Sequence, residues 1–165
     1  MYRIGHSRDI HKFGPNRELV LGTVKIPYEL GLVAHSDGDC LVHAIVESLI
    51  GAMGLGDIGK HFPDTDLKYK NISSKFFLEE VKEMLRENNY EIVNIDSTIM
   101  VEKPMMAPFI PEMRKNISLA LGINENQINI KATRGEGLGF VGEGKGIECD
   151  TVSLIQSNKP VMKKL

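Results

Sequence analysis

Cysteine is scarce in this sequence: the 165 residues include only two, Cys40 and Cys149. Their number and spacing match neither a metal-binding nor a redox cysteine motif. We therefore expect both to be small buried residues of a protein in a reducing compartment, the cytoplasm. Arg3 and the polar residues that follow it do not form the apolar run of a signal peptide, which agrees with that expectation.

An excess of one charge sign is also missing, since 20 Lys and Arg residues stand against 22 Asp and Glu residues. A general nucleic-acid binder carries a basic excess, so nucleic acid is not an expected partner. The longest apolar run, CLVHAIVESLIGAMGLG, is interrupted by His43 and Glu47, which makes it a poor membrane span. A content of 42% hydrophobic and 25% charged residues is that of an ordinary globular domain, and no membrane partner is expected.

The chain shows no linker and no internal repeat, which predicts one domain, residues 1–157, and a basic, disordered tail, residues 158–165. Alternating, β-branched segments predict strands, and capped segments with helical periodicity predict helices. Residues 56–66 and the glycine-rich residues 134–146 are predicted loops. The predicted strands are 2–10, a hairpin within 18–29, 90–102, 127–133 and 147–156, and the predicted helices are 35–54, 73–89 and 108–123.

This order of elements predicts an α+β fold: a single sheet of about four main strands, with helices on one face. The other face of the sheet is expected to serve oligomerisation. Ser36 or Asp37 is expected to cap the first helix, and Ser73 or Ser74 the second, because these side chains accept hydrogen bonds from free amides of the first turn.

A metal site is suggested by Asp9, His11 and His43. Residues two apart in a strand project from the same face, so Asp9 and His11 can converge on one point. Two histidines and one carboxylate form the open ligand set of a catalytic zinc site. Glu47, one helical turn after His43, is a candidate to orient the imidazole. A hydrogen-bonded core histidine and an ordinary surface Asp-x-His pair explain the same residues, and the pattern alone leaves both alternatives open.

The glycine motifs do not indicate a nucleotide-binding fold. GLGFVG fits G-x-G-x-x-G, but a strand rather than a helix is predicted downstream, and GFVGEGKG lacks the Ser or Thr of a P-loop. What remains in KATRGEGLGF is a hydroxyl at Thr133, a cation at Arg134 and a carboxylate at Glu136. Those groups suit a phosphate and a hard divalent ion such as magnesium. A plain glycine-rich hairpin turn is equally compatible.

Polar loop residues offer further contacts. Asp57, Asp64 and Asp66 follow the helix that carries His43 and are candidates to bind sugar hydroxyls, although turn formation explains them as well. His35 and Ser36, at the predicted start of that helix, are candidates to meet an anion.

Five segments together resemble the 2-C-methyl-D-erythritol 2,4-cyclodiphosphate synthase family: RIGHSRDIHKF, LVAHSDGDCLVHAI, LGDIGKHFPDTD, IPEMRKNI and KATRGEGLGF followed by GI. They occur in the family's order and spacing, from Arg3 to about Ile155. The resemblance implies a phosphorus–oxygen lyase of non-mevalonate isoprenoid biosynthesis. Such an enzyme converts 4-diphosphocytidyl-2-C-methyl-D-erythritol 2-phosphate to the 2,4-cyclodiphosphate and CMP by metal-assisted intramolecular phosphoryl transfer. It also implies a homotrimer that packs through its sheets, with active sites between subunits.

The family's functional residues are carried over position by position. The resemblance implies zinc at Asp9, His11 and His43, a second ion, magnesium or manganese, at Glu136, and support of the transition state by His35 and the position of Arg134. Residues 101–107 match the family's cytosine pocket. The implied substrate contacts are Asp9, Ile10, His11, His35, Ser36, Asp57, Ile58, Gly59, Phe62, Pro63, Asp64, Thr65, Asp66, Val101, Glu102, Lys103, Pro104, Met105, Met106, Ala107, Thr133, Arg134, Gly135, Glu136, Phe140 and Glu143.

The sequence departs from the family at a few of these positions. Arg134 stands in place of a threonine, and Met105 in place of a frequent lysine. Glu143 replaces an arginine and Lys145 a glutamate, which allows an exchanged ion pair. In the family that arginine lies by a central cavity of the trimer that holds isoprenoid diphosphates, so we expect this chain to bind them weakly.

Two other functions fit the same residues. One is a different zinc-dependent phosphotransferase or phosphatase on this scaffold, suggested by the changes at Arg134 and Glu143. The other is a non-catalytic nucleotide-binding trimer. Glu136 and Thr133 argue against the second, because a binding protein has little need of a carboxylate for a second ion.

Overall fold

Five strands form the main sheet, and two more form a separate hairpin, in a computed structural model that describes residues 1–63, 65–69 and 72–158. The predicted tail lies outside these residues from position 159 onward. The strands are β1 (Tyr2–Gly14), β2 (Leu19–Leu21), β3 (Val24–Ile26), β4 (Gly31–Leu32), β5 (Tyr90–Met100), β6 (Ile128–Thr133) and β7 (Gly146–Ser157). The helices are α1 (Cys40–Met53), α2 (Ile58–His61), α3 (Lys75–Glu87), α4 (Ile110–Leu121) and α5 (Gly139–Gly142), with 3₁₀ turns at Leu67–Tyr69 and Glu125–Gln127.

The main sheet has the strand order β4-β1-β7-β5-β6. All of its pairs are antiparallel except β5 with β6. The α+β class is therefore confirmed, but the sheet has five strands rather than about four, and the β2–β3 hairpin is a sheet of its own. The fifth strand, β4, is only two residues long, and so short a strand gives no alternating pattern in the sequence.

The helices cover one face of the main sheet. Alternate residues of β7, such as Cys149 and Ser153, are fully buried, and Ile95, Ser97 and Ile99 of β5 and Ile128 and Ile130 of β6 share this face and are buried as well. The intervening residues form the open face, where Ile4 is 71% and Val152 45% exposed. Among the described residues, no helix is long and apolar enough to cross a membrane.

Helix α1 begins at a different cap from the expected one. The N-cap is Asp39, whose carboxylate accepts from the backbone amide of Val42, so the predictions of Ser36 and Asp37 were wrong. Asp39 is fully buried and also accepts from the amides of Gly22 and Thr23 in the β2–β3 turn. Burial raises the pKa of this carboxyl to about 6. A sequence cannot show that Asp39, rather than Ser36 or Asp37, caps the helix, because the choice depends on a turn 16 residues earlier.

Asp39→Ala is expected to lower the free energy of unfolding by about 3 kcal/mol, since three backbone amides lose their acceptor. Asp39→Asn is the matched variant: its one carbonyl oxygen can keep the bonds to Gly22 and Val42 but not the one to Thr23, so a smaller loss is expected. Urea unfolding of both proteins measures the difference. Equal stability of Asp39→Ala and the wild type would show that the buried carboxylate does not hold the turn to the helix.

Two predicted loops contain short helices. Residues 56–66 include α2, because Asp57 accepts from the amide of Lys60 and caps a single turn. The glycine-rich residues 134–146 include α5, again one turn, before β7 begins. At α3 the N-cap position is Ser74, as one of the two predicted alternatives, but its side chain makes no capping hydrogen bond.

Candidate metal centre and binding cleft

Asp9, His11 and His43 meet at one point of the structure. Their ligand atoms all lie within 4.8 Å of one another. His11 Nε2 is 2.8 Å from Asp9 Oδ2 and 3.2 Å from His43 Nδ1, while His43 Nδ1 is 3.3 Å from the same carboxylate oxygen. β1 supplies the first two side chains from its helix-facing side, and the first turn of α1 brings the third. The structure therefore joins the predicted set into a group able to hold a metal ion.

The remaining ring nitrogens of both histidines have other partners. His11 Nδ1 donates to the backbone carbonyl of Val33 at 3.1 Å. His43 Nε2 lies 3.2 Å from the hydroxyl oxygens of both Ser36 and Ser74. With a proton on each of these outer nitrogens, the lone pairs of His11 Nε2 and His43 Nδ1 face each other beside a carboxylate. That donor arrangement is unfavourable without a cation, and it fits a bound metal.

The electrostatics of the group favour the ionised carboxylate. Burial opposes ionisation of Asp9, but when the inner ring nitrogens of His11 and His43 carry protons, their hydrogen bonds and charge outweigh it and lower the pKa of Asp9. Burial likewise works to lower the pKa of His11, yet Asp9 raises it overall. Glu47 does not orient His43, contrary to the expectation, because its carboxylate instead accepts from the Ser7 hydroxyl at 2.7 Å.

A cleft of about 430 Å³ opens above the metal group. His35 and Ser36, the candidates to meet an anion, line it, and Glu47 lines it too. Among the described residues, His35 Nε2 has no hydrogen-bond partner although it is buried. An unpaired buried nitrogen in a cleft is costly unless a ligand satisfies it, so His35 is placed to contact a bound molecule.

The segment after α1 forms another wall of this cleft. Ile58, Gly59 and Phe62 line it, whereas Asp57 is exposed and occupied as the cap of α2. Asp66 is paired with Lys68 at 3.1 Å, and its amide donates to the carbonyl of Pro63. Thr65 is exposed, and the predicted contact at Asp64 lies outside the described residues.

A second group of predicted residues gathers at the ends of β5 and β6. Residues 101–107 and Thr133–Arg134 line a separate small cavity of about 150 Å³, to which all of them contribute except Lys103. Glu102 accepts from the amide of Gly135 at 3.1 Å and so ties the two loops together. Glu136 is exposed and has a left-handed backbone, with φ 54°. An L residue held in that region is strained, which is common at ligand-binding loops.

The two groups lie apart within one chain. The register runs across the sheet from Asp9 to Cys149, then to Ile99 and finally to Ala132, beside Thr133. Three strand-to-strand steps amount to about 14 Å. One chain therefore does not bring Glu136 to the group formed by Asp9, His11 and His43.

The other predicted contacts are scattered in the single chain. Ile10 belongs to the open face of β1, opposite its neighbours Asp9 and His11, and is 49% exposed. Phe140, in α5, is 37% exposed. Glu143 pairs with Lys145 at 2.5 Å, so the exchanged charges do form an ion pair on the surface.

Sequence reasoning missed several residues that support the cleft. Arg17 donates to the carbonyls of Ala34 and Ser36, at 2.7 and 2.6 Å, and so holds the backbone on both sides of His35. Asp37 and Ser74 form a pair behind His43. These contacts connect segments far apart in the chain, and no local pattern signals them.

Comparisons with known proteins identify relatives of this chain in both sequence and fold. The model of the YgbB family matches residues 2–156. A 2-C-methyl-D-erythritol 2,4-cyclodiphosphate synthase of Clostridium novyi is 63% identical over 153 residues, which cover 93% of this chain and 98% of that protein. The bifunctional IspDF of Campylobacter jejuni superposes with a TM-score of 0.91 at 40% identity, over 95% of this chain and 42% of that one. IspF of Plasmodium falciparum, in a CDP complex, gives 0.84 at 37% identity, over 96% of this chain and 97% of that one.

Proposed function

Since this chain belongs to the YgbB family and to its 2-C-methyl-D-erythritol 2,4-cyclodiphosphate synthases, we propose that it catalyses the reaction for which those relatives are named. The substrate is 4-diphosphocytidyl-2-C-methyl-D-erythritol 2-phosphate, and the products are the 2,4-cyclodiphosphate and CMP. The observation that carries the proposal is the convergence of Asp9, His11 and His43 at the floor of a cleft. The comparisons favour this reading over a phosphatase or a non-catalytic binding protein.

The reaction is an intramolecular phosphoryl transfer. An oxygen of the 2-phosphate forms a bond to the phosphorus attached to the erythritol 4-oxygen. The bond from that phosphorus to the bridging oxygen of CMP breaks, and CMP leaves with the electron pair. No water is consumed, which makes the enzyme a phosphorus–oxygen lyase. Such chemistry needs positioning and neutralisation of charge rather than a protein nucleophile.

We assign zinc to Asp9, His11 and His43, since two imidazoles and one carboxylate leave an open coordination position. Zinc bound there supplies Lewis-acid polarisation of a phosphoryl oxygen. The backbone carbonyl of Val33 keeps the proton of His11 on Nδ1 and so directs Nε2 to the ion. His35, whose buried Nε2 has no partner in the described part of the chain, and Ser36 hold the reacting phosphate, and Phe62 helps to exclude water from the cleft.

The cytidine half of the substrate is assigned to residues 101–107, which, apart from Lys103, form the small cavity with Thr133 and Arg134. Glu136 holds the second divalent ion, magnesium or manganese, which neutralises the diphosphate. Arg134, exposed in the same loop, supplies a positive charge near the phosphates in place of the family's threonine.

Glu136→Gln is expected to retain zinc but to raise the magnesium concentration for half-maximal activity at least about tenfold, because affinity for hard cations follows the charge of their oxygen ligands. Zinc content by mass spectrometry and initial rates against magnesium measure the two effects. Glu125→Gln is the control, since Glu125 precedes β6 at the opposite end of that strand. An unchanged magnesium dependence would remove Glu136 from the second-ion site.

A complete active site requires a second copy of the chain. Within one chain Glu136 does not join Asp9, His11 and His43, because their strand β1 lies three strand-to-strand steps, about 14 Å, from β6. The open sheet face offers the surface for association, since Tyr2, Ile4, Ile10 and Val152 expose apolar area there, as interfaces between subunits do. We propose a homotrimer that packs through these faces and pairs the zinc group of one subunit with the Glu136 loop of the next. Both free cysteines are buried, which suits the proposed cytoplasmic location.

Ile4→Lys is expected to convert the trimer to monomers, because it places a charge in the proposed apolar interface. Leu119→Lys is the matched control: Leu119, on α4, is 69% exposed, close to the 71% of Ile4. Sedimentation equilibrium gives the mass of each protein. A trimeric Ile4→Lys variant would place the interface elsewhere.

Phosphorus NMR of the purified protein with the CDP-linked substrate, zinc and magnesium tests the function itself. The proposal requires the cyclic diphosphate and CMP to appear together. Inorganic phosphate as the product would identify a phosphatase, and unchanged substrate with zinc-loaded protein would identify a non-catalytic binding protein.

A further inference from the structure

His43 Nε2 faces two hydroxyl groups at the same distance. Ser36 Oγ and Ser74 Oγ each lie 3.2 Å from it. Ser36 belongs to the loop before α1, whereas Ser74 is the residue from which α3 starts. Either oxygen can accept the Nε2 proton, so the other contacts of each serine decide which of them orients the ring.

Of these two serines, Ser74 alone has a carboxylate behind it among the residues that the structure describes. Its hydroxyl donates to Asp37 Oδ1 at 2.5 Å, and its backbone amide donates to Asp37 Oδ2 at 2.8 Å. The hydrogen of Ser74 Oγ is therefore committed to Asp37, and its lone pairs remain for His43 Nε2. The Ser36 oxygen instead accepts from the Gly38 amide at 3.3 Å, and its hydrogen is not needed for that bond.

We infer that Asp37 and Ser74 are positioning residues for the metal centre, acting as a carboxylate–hydroxyl–imidazole chain. The chain keeps the proton of His43 on Nε2, so that Nδ1 points to Asp9 and His11 with a free lone pair. The negative charge of Asp37 polarises the Ser74 hydroxyl, which in turn polarises the imidazole and strengthens His43 Nδ1 as a ligand. A carboxylate behind a metal-binding histidine has this effect when it bonds the imidazole directly. The inference rests on the proposed metal site.

The surroundings hold the hydrogen-bonded series Asp37–Ser74–His43 in one arrangement. Ser74 is fully shielded from solvent, so water does not compete for its hydroxyl. The His43 ring also lies edge-on to Phe77, one turn further along α3, with 5.9 Å between centroids. The first turn of α3 thus fixes the plane of the His43 ring and the nitrogen that carries its proton. Ser36 keeps a hydroxyl hydrogen free for a ligand in the cleft.

Zinc affinity, measured by competition with a chelator, separates the two serines. Ser74→Ala is expected to bind zinc about 10- to 100-fold more weakly, as loss of an outer partner of a ligand does, and Ser36→Ala less than about threefold. Ser73→Ala is the control, since the neighbouring Ser73 is exposed and does not contact His43 among the described residues. The cap of α3 survives in Ser74→Ala, because the serine side chain makes no capping bond.

A second variant and a spectroscopic readout distinguish orientation from folding. Asp37→Asn keeps an acceptor for Ser74 but removes the charge, and a several-fold loss of zinc affinity is expected. Cobalt(II) in place of zinc reports ligand geometry through its visible spectrum, which should change in Ser74→Ala and not in Ser73→Ala. Wild-type affinity and spectrum in Ser74→Ala, or equal losses in the two serine variants, would overturn the inference alone. If Ser74→Ala does not fold, wild-type affinity in Asp37→Asn overturns it. Failure of the wild type to bind zinc overturns the metal site as well.

Discussion

Replacement of His43 by alanine is expected to remove most of the bound zinc and to lower kcat/KM about 10³-fold, which corresponds to roughly 4 kcal/mol of transition-state stabilisation. The imidazole supplies one of three ligand atoms, and its Nδ1 lies 3.2 Å from His11 Nε2 and 3.3 Å from Asp9 Oδ2. The fold and the proposed trimer should persist, because the ring borders a cleft rather than the centre of the core.

His61→Ala is the matched control for His43→Ala. His61 bonds the carbonyl of Leu55 and does not belong to the metal group, so this variant should keep one zinc per chain. Zinc content by mass spectrometry and the phosphorus NMR assay provide the two readouts. Stoichiometric zinc in His43→Ala would show that the ligand assignment is wrong.

Replacement of Gly5 by alanine is expected to lower the free energy of unfolding by about 3 kcal/mol or more, since it forces extra volume into a closed contact. β1 and α1 approach each other there so closely that a Cβ on Gly5 would stand 1.8 Å from the carbonyl oxygen of Ser48 and 2.8 Å from the amide of Ala52. Both obstacles are helix backbone and cannot move aside as a side chain can. Separation of β1 from α1 would also pull Asp9 and His11 away from His43.

Gly51→Ala is the matched control on the same helix. A Cβ on Gly51 meets nothing within 4 Å, and alanine gains about 1 kcal/mol over glycine inside a helix. Urea unfolding should therefore show a more stable Gly51→Ala and a much less stable Gly5→Ala. A Gly5→Ala protein as stable as the wild type would mean that the helix can shift on the sheet without cost.

The sequence predicted the local parts of the site because each depends on near neighbours. The i, i+2 spacing of Asp9 and His11 on a strand fixes their common side, and the structure places both side chains towards the helices. The long strands β1, β5 and β7 showed their alternation, and α1, α3 and α4 their periodicity. The five segments that resemble the family favoured grouping His43 with Asp9 and His11, which the patterns alone had left open.

Outer partners were beyond prediction, and Glu47 illustrates why. Its four-residue spacing from His43 suggested a contact along the helix, yet the carboxylate faces Ser7 on β1 at 2.7 Å. The Glu47 side chain contacts the sheet that packs against α1 and not the next residues of its own helix. Asp39 likewise accepts a hydrogen bond from the β2–β3 turn, and it is the N-cap of α1 in place of Ser36 or Asp37.

The sequence by itself determined the kinds of group at the candidate metal centre, two imidazoles and a carboxylate, and it showed a separate glycine-rich loop with Glu136 and the elements that carry both. Periodicity and residue chemistry are local, so they can be read along the chain. The tertiary structure alone decided that Asp37 and Ser74 stand behind His43, and that β6, the strand before the Glu136 loop, lies about 14 Å across the sheet from Asp9. Those facts follow from strand order and from the packing of α3 against α1, and both depend on contacts between distant parts of the chain.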